Sequence, residues 1–200
     1  MKGIILLNGE PYSGEIETAG KFVVCCDGAL LWATKKGIRP DICVGDFDSL
    51  GYVPENAEVY PAEKNLTDGE IALDYLDKKG VKDIEIYGGA GKREDHFFGN
   101  VNLLIKAKER GINAVFKTDY TDFYVVCGKV SLSGLKGVTV SLVPVSDAMH
   151  INNSVGLKYA ANGLVIRQGD SRGLSNVVTE DKASFEITEG RGILFIVRQL

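Results

Sequence analysis

The alternation of short apolar segments with helix-like segments is the feature that most constrains how this chain can fold. Strands are predicted where short runs are rich in Val, Ile or aromatic residues. These runs are Gly3–Leu7, Phe22–Cys26, Asp41–Val44, Asp83–Tyr87, Ala114–Lys117 and Phe123–Cys127. Helices are predicted between them at Ala29–Lys36, Asp68–Lys79 and about His96–Arg110. Strands that alternate with helices indicate an α/β fold, a mainly parallel sheet with helices on both faces.

The pattern changes near Gly128, where helical periodicity disappears. The strand candidates beyond it are Thr139–Val143, Gly156–Tyr159, Leu164–Arg167, Ala183–Ile187 and Ile193–Val197. Turn-forming pairs such as Asn162-Gly163 separate them. The sequence therefore predicts an α/β domain over residues 1–128, followed by a C-terminal all-β domain over 129–200, a small sandwich or open barrel.

Composition excludes several classes of protein. A net charge of −4 argues against a nucleic-acid binder, which usually needs a basic surface. No apolar stretch approaches the ~20 residues of a membrane span, and the first apolar run is shorter than that of a signal peptide. The cysteines lie in apolar runs without CxxC spacing, which indicates buried free thiols in a reducing compartment; they are Cys25, Cys26, Cys43 and Cys127. We expect a cytoplasmic protein that binds neither nucleic acid nor membrane.

Acidic and glycine-rich segments follow three of the predicted strands. Asp27-Gly28 follows one, residues 45–49 (GDFDS) follow the next, and residues 88–96 (GGAGKREDH) follow a third. In an open parallel sheet, ligands bind at the carboxyl ends of the strands. We therefore expect these three segments to meet in space and to form one site.

Their chemistry indicates a magnesium–phosphate site. Asp46 and Asp48 are like charges two residues apart, which repel each other unless a cation lies between them. Magnesium prefers oxygen ligands, typically one or two carboxylates together with substrate phosphates, and Asp27 can join the pair. The glycines allow backbone N–H groups to approach phosphate oxygens, and Lys92 and Arg93 add positive charge. The residues fit neither a P-loop nor a dinucleotide-binding GxGxxG motif.

Structural interpretations of the same residues stay open at this point. An isolated D-x-D is often only a turn, and Asp95 can be the N-cap of the third helix. Thr67 and Glu70 form a T-x-x-E capping box at the start of the second helix, and Asp68 can be the N-cap of that helix. The coincidence of such features at three strand ends favours the functional hypothesis.

Four segments resemble the thiamin pyrophosphokinase family, in the family's order. They are CCDGAL (25–30), PDICVGDFDSL (40–50), KNLTDGEIAL (64–73) and GGAGKREDHFFGNVNLL (88–104). In the β part, GLKY (156–159) and GLSN (173–176) are similar to further family elements. The resemblance implies a nucleotide-binding α/β domain, a β-sandwich that binds thiamin and mediates dimerisation, and a homodimer with its site at the subunit interface.

The resemblance also implies a reaction, the Mg2+-dependent transfer of the pyrophosphoryl group of ATP to thiamin, which yields thiamin diphosphate and AMP. It assigns metal and catalytic roles to Asp46, Asp48 and Asp68, of which Asp68 is the candidate to accept the proton of the thiamin hydroxyl. The residues implied on the ATP side are Asp27, Thr67, Arg93, Asp95 and His96. Ser175 and Asn176 are implied on the thiamin side.

One departure from the family pattern keeps other functions open. Asn65 stands where the family usually has an aspartate, so one carboxylate of the KDxTD segment is missing. This motivates a second hypothesis, a sensor that binds thiamin or a nucleotide without turnover. A third hypothesis is a nucleotide-sugar transferase, because a D-x-D after a strand can also bind a metal–nucleotide-sugar.

Overall fold

The computed structural model describes residues 1–61, 63 and 65–198. The chain divides into two compact units, Met1–Asp119 and Tyr120–Leu200. The division expected from the sequence, between residues 128 and 129, falls inside a long strand of the second unit. Among the described residues, none of the helices combines the length and apolar character that crossing a membrane requires.

The first unit is built on a parallel sheet. Its strands are β1 Lys2–Leu6, β2 Lys21–Cys26, β3 Ile42–Gly45, β4 Ala57–Val59, β5 Asp83–Tyr87 and β6 Asn113–Lys117. They lie in the order β6-β5-β1-β2-β3-β4, and every pairing between them is parallel. The order reverses at β1, the kind of position where open sheets form a ligand crevice. The short edge strand β4 was not predicted.

Helices cover both faces of this sheet, as predicted. They are α1 Ala29–Lys35, α2 Asp68–Lys78 and α3 Glu94–Glu109. Successive residues of β1 point to opposite faces, so Ile4 packs in one cluster with Trp32 of α1 while Gly3 faces Leu76 of α2. Trp32 is a core residue whose indole N–H donates to the Leu7 carbonyl at 3.1 Å.

The start of α2 confirms the predicted capping box. The Thr67 side chain accepts from the Glu70 backbone N–H at 3.3 Å, and the Thr67 N–H donates to the Glu70 carboxylate at 2.8 Å. Lys106 of α3 also donates to Glu70. The N-cap of α2 is therefore Thr67, and the interpretation of Asp68 as its N-cap is wrong. The interpretation of Asp95 as an N-cap is also wrong, because α3 begins at Glu94 after Arg93 and has no side-chain cap.

Glu70 gives the first unit a predicted dependence of stability on pH. Burial alone would raise its pKa, but the hydrogen bonds from Lys106 and Thr67 outweigh burial and lower it. The carboxylate therefore stabilises the fold above its unfolded pKa of about 4.3, and this contribution is lost as pH falls through the folded value. Urea unfolding of Glu70→Gln and wild type should show a stability gap at pH 7 that narrows toward pH 4. A gap that does not change with pH would contradict this role.

The second unit is all β. Its strands are β7 Thr121–Ser133, β8 Thr139–Pro144, β9 Ala148–Val155, β10 Leu164–Arg167, β11 Asn176–Val177 and β12 Lys182–Val197. β12 pairs with β7 along most of its length, with β9 near its start and with β8 near its end. Register shifts between Ile187 and Gly192 mark the change of partner. A shared apolar core of residues from these strands fills the unit.

Several predictions for this unit are wrong in detail. The segments Ala183–Ile187 and Ile193–Val197 form one strand, because glycines and a register shift bend β12 without ending it. Phe123–Cys127 is part of a longer strand, β7, which lies in the second unit. Gly156–Tyr159 is not a strand; it contributes one bridge, from Leu157 to Val178.

The cysteines divide between the two units. Cys25, Cys26 and Cys43 are buried free thiols of the first unit, as predicted. Cys127 is exposed, which corrects the prediction. Its neighbour Val126 packs in the core of the second unit, and alternation along β7 puts Cys127 on the other face. Cys127 is exposed there although Val125, on the same face, is buried.

Candidate active site

The carboxyl ends of β1, β2, β3 and β5, with the first turns of α2 and α3, enclose a cleft of about 610 Å³ in the first unit. Most of the predicted site residues line it; they are Asp27, Asp46, Thr67, Asp68, Arg93, Asp95 and His96. Because the carboxyl ends of parallel strands lie at one edge of the sheet, side chains that are far apart in the sequence meet in this cleft.

Three carboxylates converge at this edge of the sheet. Oxygen atoms of Asp27, Asp46 and Asp48 all lie within 4.8 Å of one another. Asp27 Oδ2 accepts a hydrogen bond from the Ser49 hydroxyl, whereas Asp27 Oδ1 is buried and accepts none from the described residues. Asp68 lines the same cleft but is not one of this group of three. The residue types alone allow Asp27 to join Asp46 and Asp48 at a cation, whereas the family resemblance implies a nucleotide-side role for Asp27 and a metal role for Asp68.

Phe47 fixes the geometry of Asp46 and Asp48, the two aspartates on either side of it in the sequence. It is 2% exposed and packs in the core cluster that contains Trp32 and Cys43. Its φ is +60°, which is rare for a bulky residue and costs roughly 1–2 kcal/mol. Burying a phenylalanine side chain contributes about 1.5–3 kcal/mol, enough to offset that cost. Phe47 therefore anchors the turn in the core while Asp46 and Asp48 converge on Asp27.

Gly45 supplies the space that Asp27 needs. Its φ is 148°, and a Cβ at this position would lie 3.0 Å from the Cβ of Asp27.

Gly45→Ala should displace Asp27 and lower the kcat/KM of the reaction catalysed at this cleft by about 10- to 100-fold. The matched control is Gly37→Ala, because Gly37 also has a left-handed φ (72°) but no atom of the described residues lies within 4 Å of the added Cβ. Both variants should lose stability on thermal unfolding, and equal activities would contradict the contact with Asp27.

An arginine–aspartate pair also lines the cleft. Arg93 donates two hydrogen bonds to Asp95, at 3.1 and 2.6 Å, in a bidentate pair whose side chains are both about two-thirds exposed. The hydrogen bond from Arg93 lowers the pKa of Asp95 to about 2 and raises the pKa of Arg93. Asp95 is therefore ionised at neutral pH, and the charge of Arg93 is balanced by its own neighbour.

Sequence reasoning missed part of the cleft. Asn8 and Gly9 line it directly after β1, and Asn100 of α3 lines it while its side-chain amide donates to the Gly89 carbonyl at 2.9 Å. The Gly9 N–H donates to the Gly88 carbonyl at 2.5 Å, which joins two strand-end loops. Asn8-Gly9 could have been found by the rule used for the other segments, because it too follows a predicted strand.

The two residues predicted on the thiamin side lie in the second unit. Ser175 is exposed and has a φ of +58°, and its backbone N–H donates to the Ser141 hydroxyl at 3.0 Å. Asn176 accepts from the Tyr159 N–H at 3.1 Å and donates to the Tyr159 carbonyl at 2.8 Å. Asn176 therefore holds the backbone of Tyr159, whose side chain is largely exposed.

Comparisons with known proteins agree on one family. The catalytic domain of thiamin pyrophosphokinase matches residues 15–116, and its vitamin B1 binding domain matches residues 128–194. This chain belongs to the thiamin pyrophosphokinase family. The thiamine pyrophosphokinase of Bacillus subtilis (strain 168) is 30% identical over 173 residues, which cover 81% of this chain and 79% of that protein.

Solved structures of thiamin pyrophosphokinases share the fold. The B. subtilis crystal structure has a TM-score of 0.88 and 25% identity, with all of both chains covered. The Geobacillus thermodenitrificans structure has a TM-score of 0.82 and 26% identity, covering 100% of this chain and 98% of that one. The α/β-plus-β fold class and the function of thiamin pyrophosphokinase are thereby confirmed.

The residues of the cleft fit a magnesium ion. Carboxylate oxygens are the ligands that this hard cation prefers, and three of them converge here. A buried carboxylate oxygen without a hydrogen-bond partner is costly unless a ligand satisfies it. Asp27 Oδ1 is such an atom among the residues that the structure describes.

Proposed function

We propose that this chain transfers the pyrophosphoryl group from magnesium-bound ATP to thiamin, with ATP held in the cleft of the first unit. The thiamin hydroxyl oxygen attacks the β-phosphorus, and the bond from that phosphorus to the α,β-bridging oxygen breaks. AMP leaves with the bridging oxygen, and thiamin diphosphate remains. The observation that carries the proposal is the convergence of Asp27, Asp46 and Asp48, because Asp27 Oδ1 is buried there and has no hydrogen-bond partner in the described part of the chain.

Each part of the cleft has a separate task in this proposal. Asp27, Asp46 and Asp48 would hold magnesium, which supplies charge neutralisation for the phosphates of ATP. Thr67, His96 and the Arg93–Asp95 pair line the cleft, and we assign them to the binding of the nucleotide. Asp68, at the first position of α2, is the carboxylate proposed to take the proton of the thiamin hydroxyl.

Thiamin recognition is proposed for the second unit. Ser175 presents an exposed hydroxyl, and Asn176 holds the backbone of Tyr159. The exposed Tyr159 ring has the Lys158 ammonium 5.3 Å from its centroid, and a cationic heteroaromatic ligand would take the place of that ammonium on the ring. We propose a homodimer with the site at the subunit interface, in keeping with the family resemblance. A cytoplasmic location is proposed because Cys25, Cys26 and Cys43 are free thiols.

The test is an assay of AMP release by the purified chain with ATP, Mg2+ and thiamin. AMP and thiamin diphosphate should appear in equal amounts, and AMP release should stop when thiamin or Mg2+ is omitted. Calorimetric binding of thiamin without any AMP would instead establish the sensor hypothesis. AMP without thiamin diphosphate would overturn pyrophosphoryl transfer, and a monomer by light scattering would overturn the homodimer.

A further inference from the structure

Lys92 has a backbone conformation that a lysine rarely adopts. Its φ is +62°, and the preceding Gly91 has a φ of 71°. Glycine takes this left-handed region without a steric penalty, whereas the Cβ of a lysine clashes with the backbone there. Strained residues of this kind persist where the surrounding structure and a function require them. The position therefore carries a side chain at a cost to stability.

The side chain of Lys92 lines the cleft and is held by neutral groups. Its ammonium donates to the Asn8 carbonyl at 3.2 Å and to the Asn8 side-chain oxygen at 3.3 Å. Among the described residues it forms no ion pair, in contrast to Arg93, whose charge is paired with Asp95. An ammonium has three N–H donors, so one remains for a further acceptor.

A positive charge here suits the substrate of the proposed function. The cleft also contains Asp27, Asp46 and Asp68, and a polyphosphate that enters it brings more negative charge. Phosphoryl transfer depends on positioning and on compensation of that charge by metal and cations. Lys92 is a cation of the cleft whose partners in the described structure are all uncharged.

We propose that Lys92 binds the phosphate oxygens of the pyrophosphoryl group in transfer, and that Asn8 positions its ammonium for this contact. The left-handed backbone at Lys92 is retained because it places the charge in the cleft. This inference rests on the proposed function and adds to it a specific phosphate contact.

The decisive variant is Lys92→Gly, which removes the charge and relieves the backbone at the same time. It should lower kcat/KM for ATP by about 10- to 100-fold, the loss expected for one charge-assisted hydrogen bond. Its Tm should stay the same or rise by about 2–4 °C, because glycine fits the left-handed conformation. Lys92→Arg keeps the charge and should retain more activity than Lys92→Gly. A purely structural lysine would instead lose Tm and leave kcat/KM unchanged.

A second variant tests the role of Asn8 without removing Lys92. Asn8→Asp places a carboxylate against the ammonium, which should neutralise it and lower kcat/KM while Tm is maintained. Calorimetry with inorganic pyrophosphate and Mg2+ supplies a readout besides turnover, and both variants should bind this probe more weakly than wild type. Unchanged pyrophosphate binding by both variants would overturn the inference.

The two proposals fail in different ways. If wild type forms thiamin diphosphate and Lys92→Gly does so equally well, the role of Lys92 is refuted and the proposed function stands. If wild type forms no thiamin diphosphate, the proposed function fails. The comparison of pyrophosphate binding between wild type and Lys92→Gly then still decides whether Lys92 binds phosphate.

Discussion

Asp46→Asn is expected to lower kcat/KM for thiamin pyrophosphorylation by at least about 100-fold, the scale seen when one group that stabilises transition-state charge is removed. The substitution keeps the shape of the side chain and removes its charge. Asp46 shares the convergent site with Asp27 and Asp48, so its loss weakens the proposed magnesium site. The AMP-release assay at saturating Mg2+ measures the effect.

Measurements of thermal stability distinguish a role of Asp46 in metal binding from a purely structural role. Without divalent cations, Asp46→Asn should be at least as stable as wild type, because one of three mutually repelling carboxylates is neutralised. Added Mg2+ should raise the Tm of wild type, since a ligand that binds only the folded state stabilises it, and should raise the Tm of the variant much less. Glu55→Gln makes the same charge change at an exposed site outside the cleft and should respond to Mg2+ as wild type does. Equal Mg2+ responses of Asp46→Asn and wild type would refute the metal assignment.

The location of the site could be predicted from the sequence because topology determines it. Parallel strands bring their carboxyl ends to one edge, so Asp27, Asp46 and the segment 88–96 had to meet once the strands were correctly placed. The capping box at Thr67 was equally predictable, since Thr and Glu three residues apart satisfy each other's backbone locally. Asn8 was missed although the same strand-end rule applies to it.

Other features depend on tertiary contacts that no local pattern reveals. That Asp27 can join Asp46 and Asp48 follows from its strand-end position, but the close approach of its side chain depends on Gly45, which leaves space beside it. The exposure of Cys127 depends on which face of β7 meets the core, and an apolar run does not specify that face. The left-handed backbones at Phe47 and Lys92 are likewise invisible to sequence propensity, which disfavours both.

Phe47→Ala is expected to reduce the free energy of unfolding by about 3–5 kcal/mol, the usual cost of truncating a buried phenylalanine. The informative comparison is with Phe47→Gly. At most buried positions glycine is less stable than alanine, but at a φ of +60° glycine should be more stable, by about 1 kcal/mol. Chemical denaturation of the two variants measures this order directly.

Phe116 in β6 provides the matched control, because it is a fully buried phenylalanine of the same unit without a positive φ. There, Phe116→Gly should be less stable than Phe116→Ala, the reverse of the order at position 47. The same order at both positions would show that Phe47 does not hold the left-handed turn in solution. Asp46 and Asp48 would then converge for another reason. The role assigned to Phe47 requires that its buried side chain compensates for the strain of its own left-handed backbone, which lies between the two carboxylates.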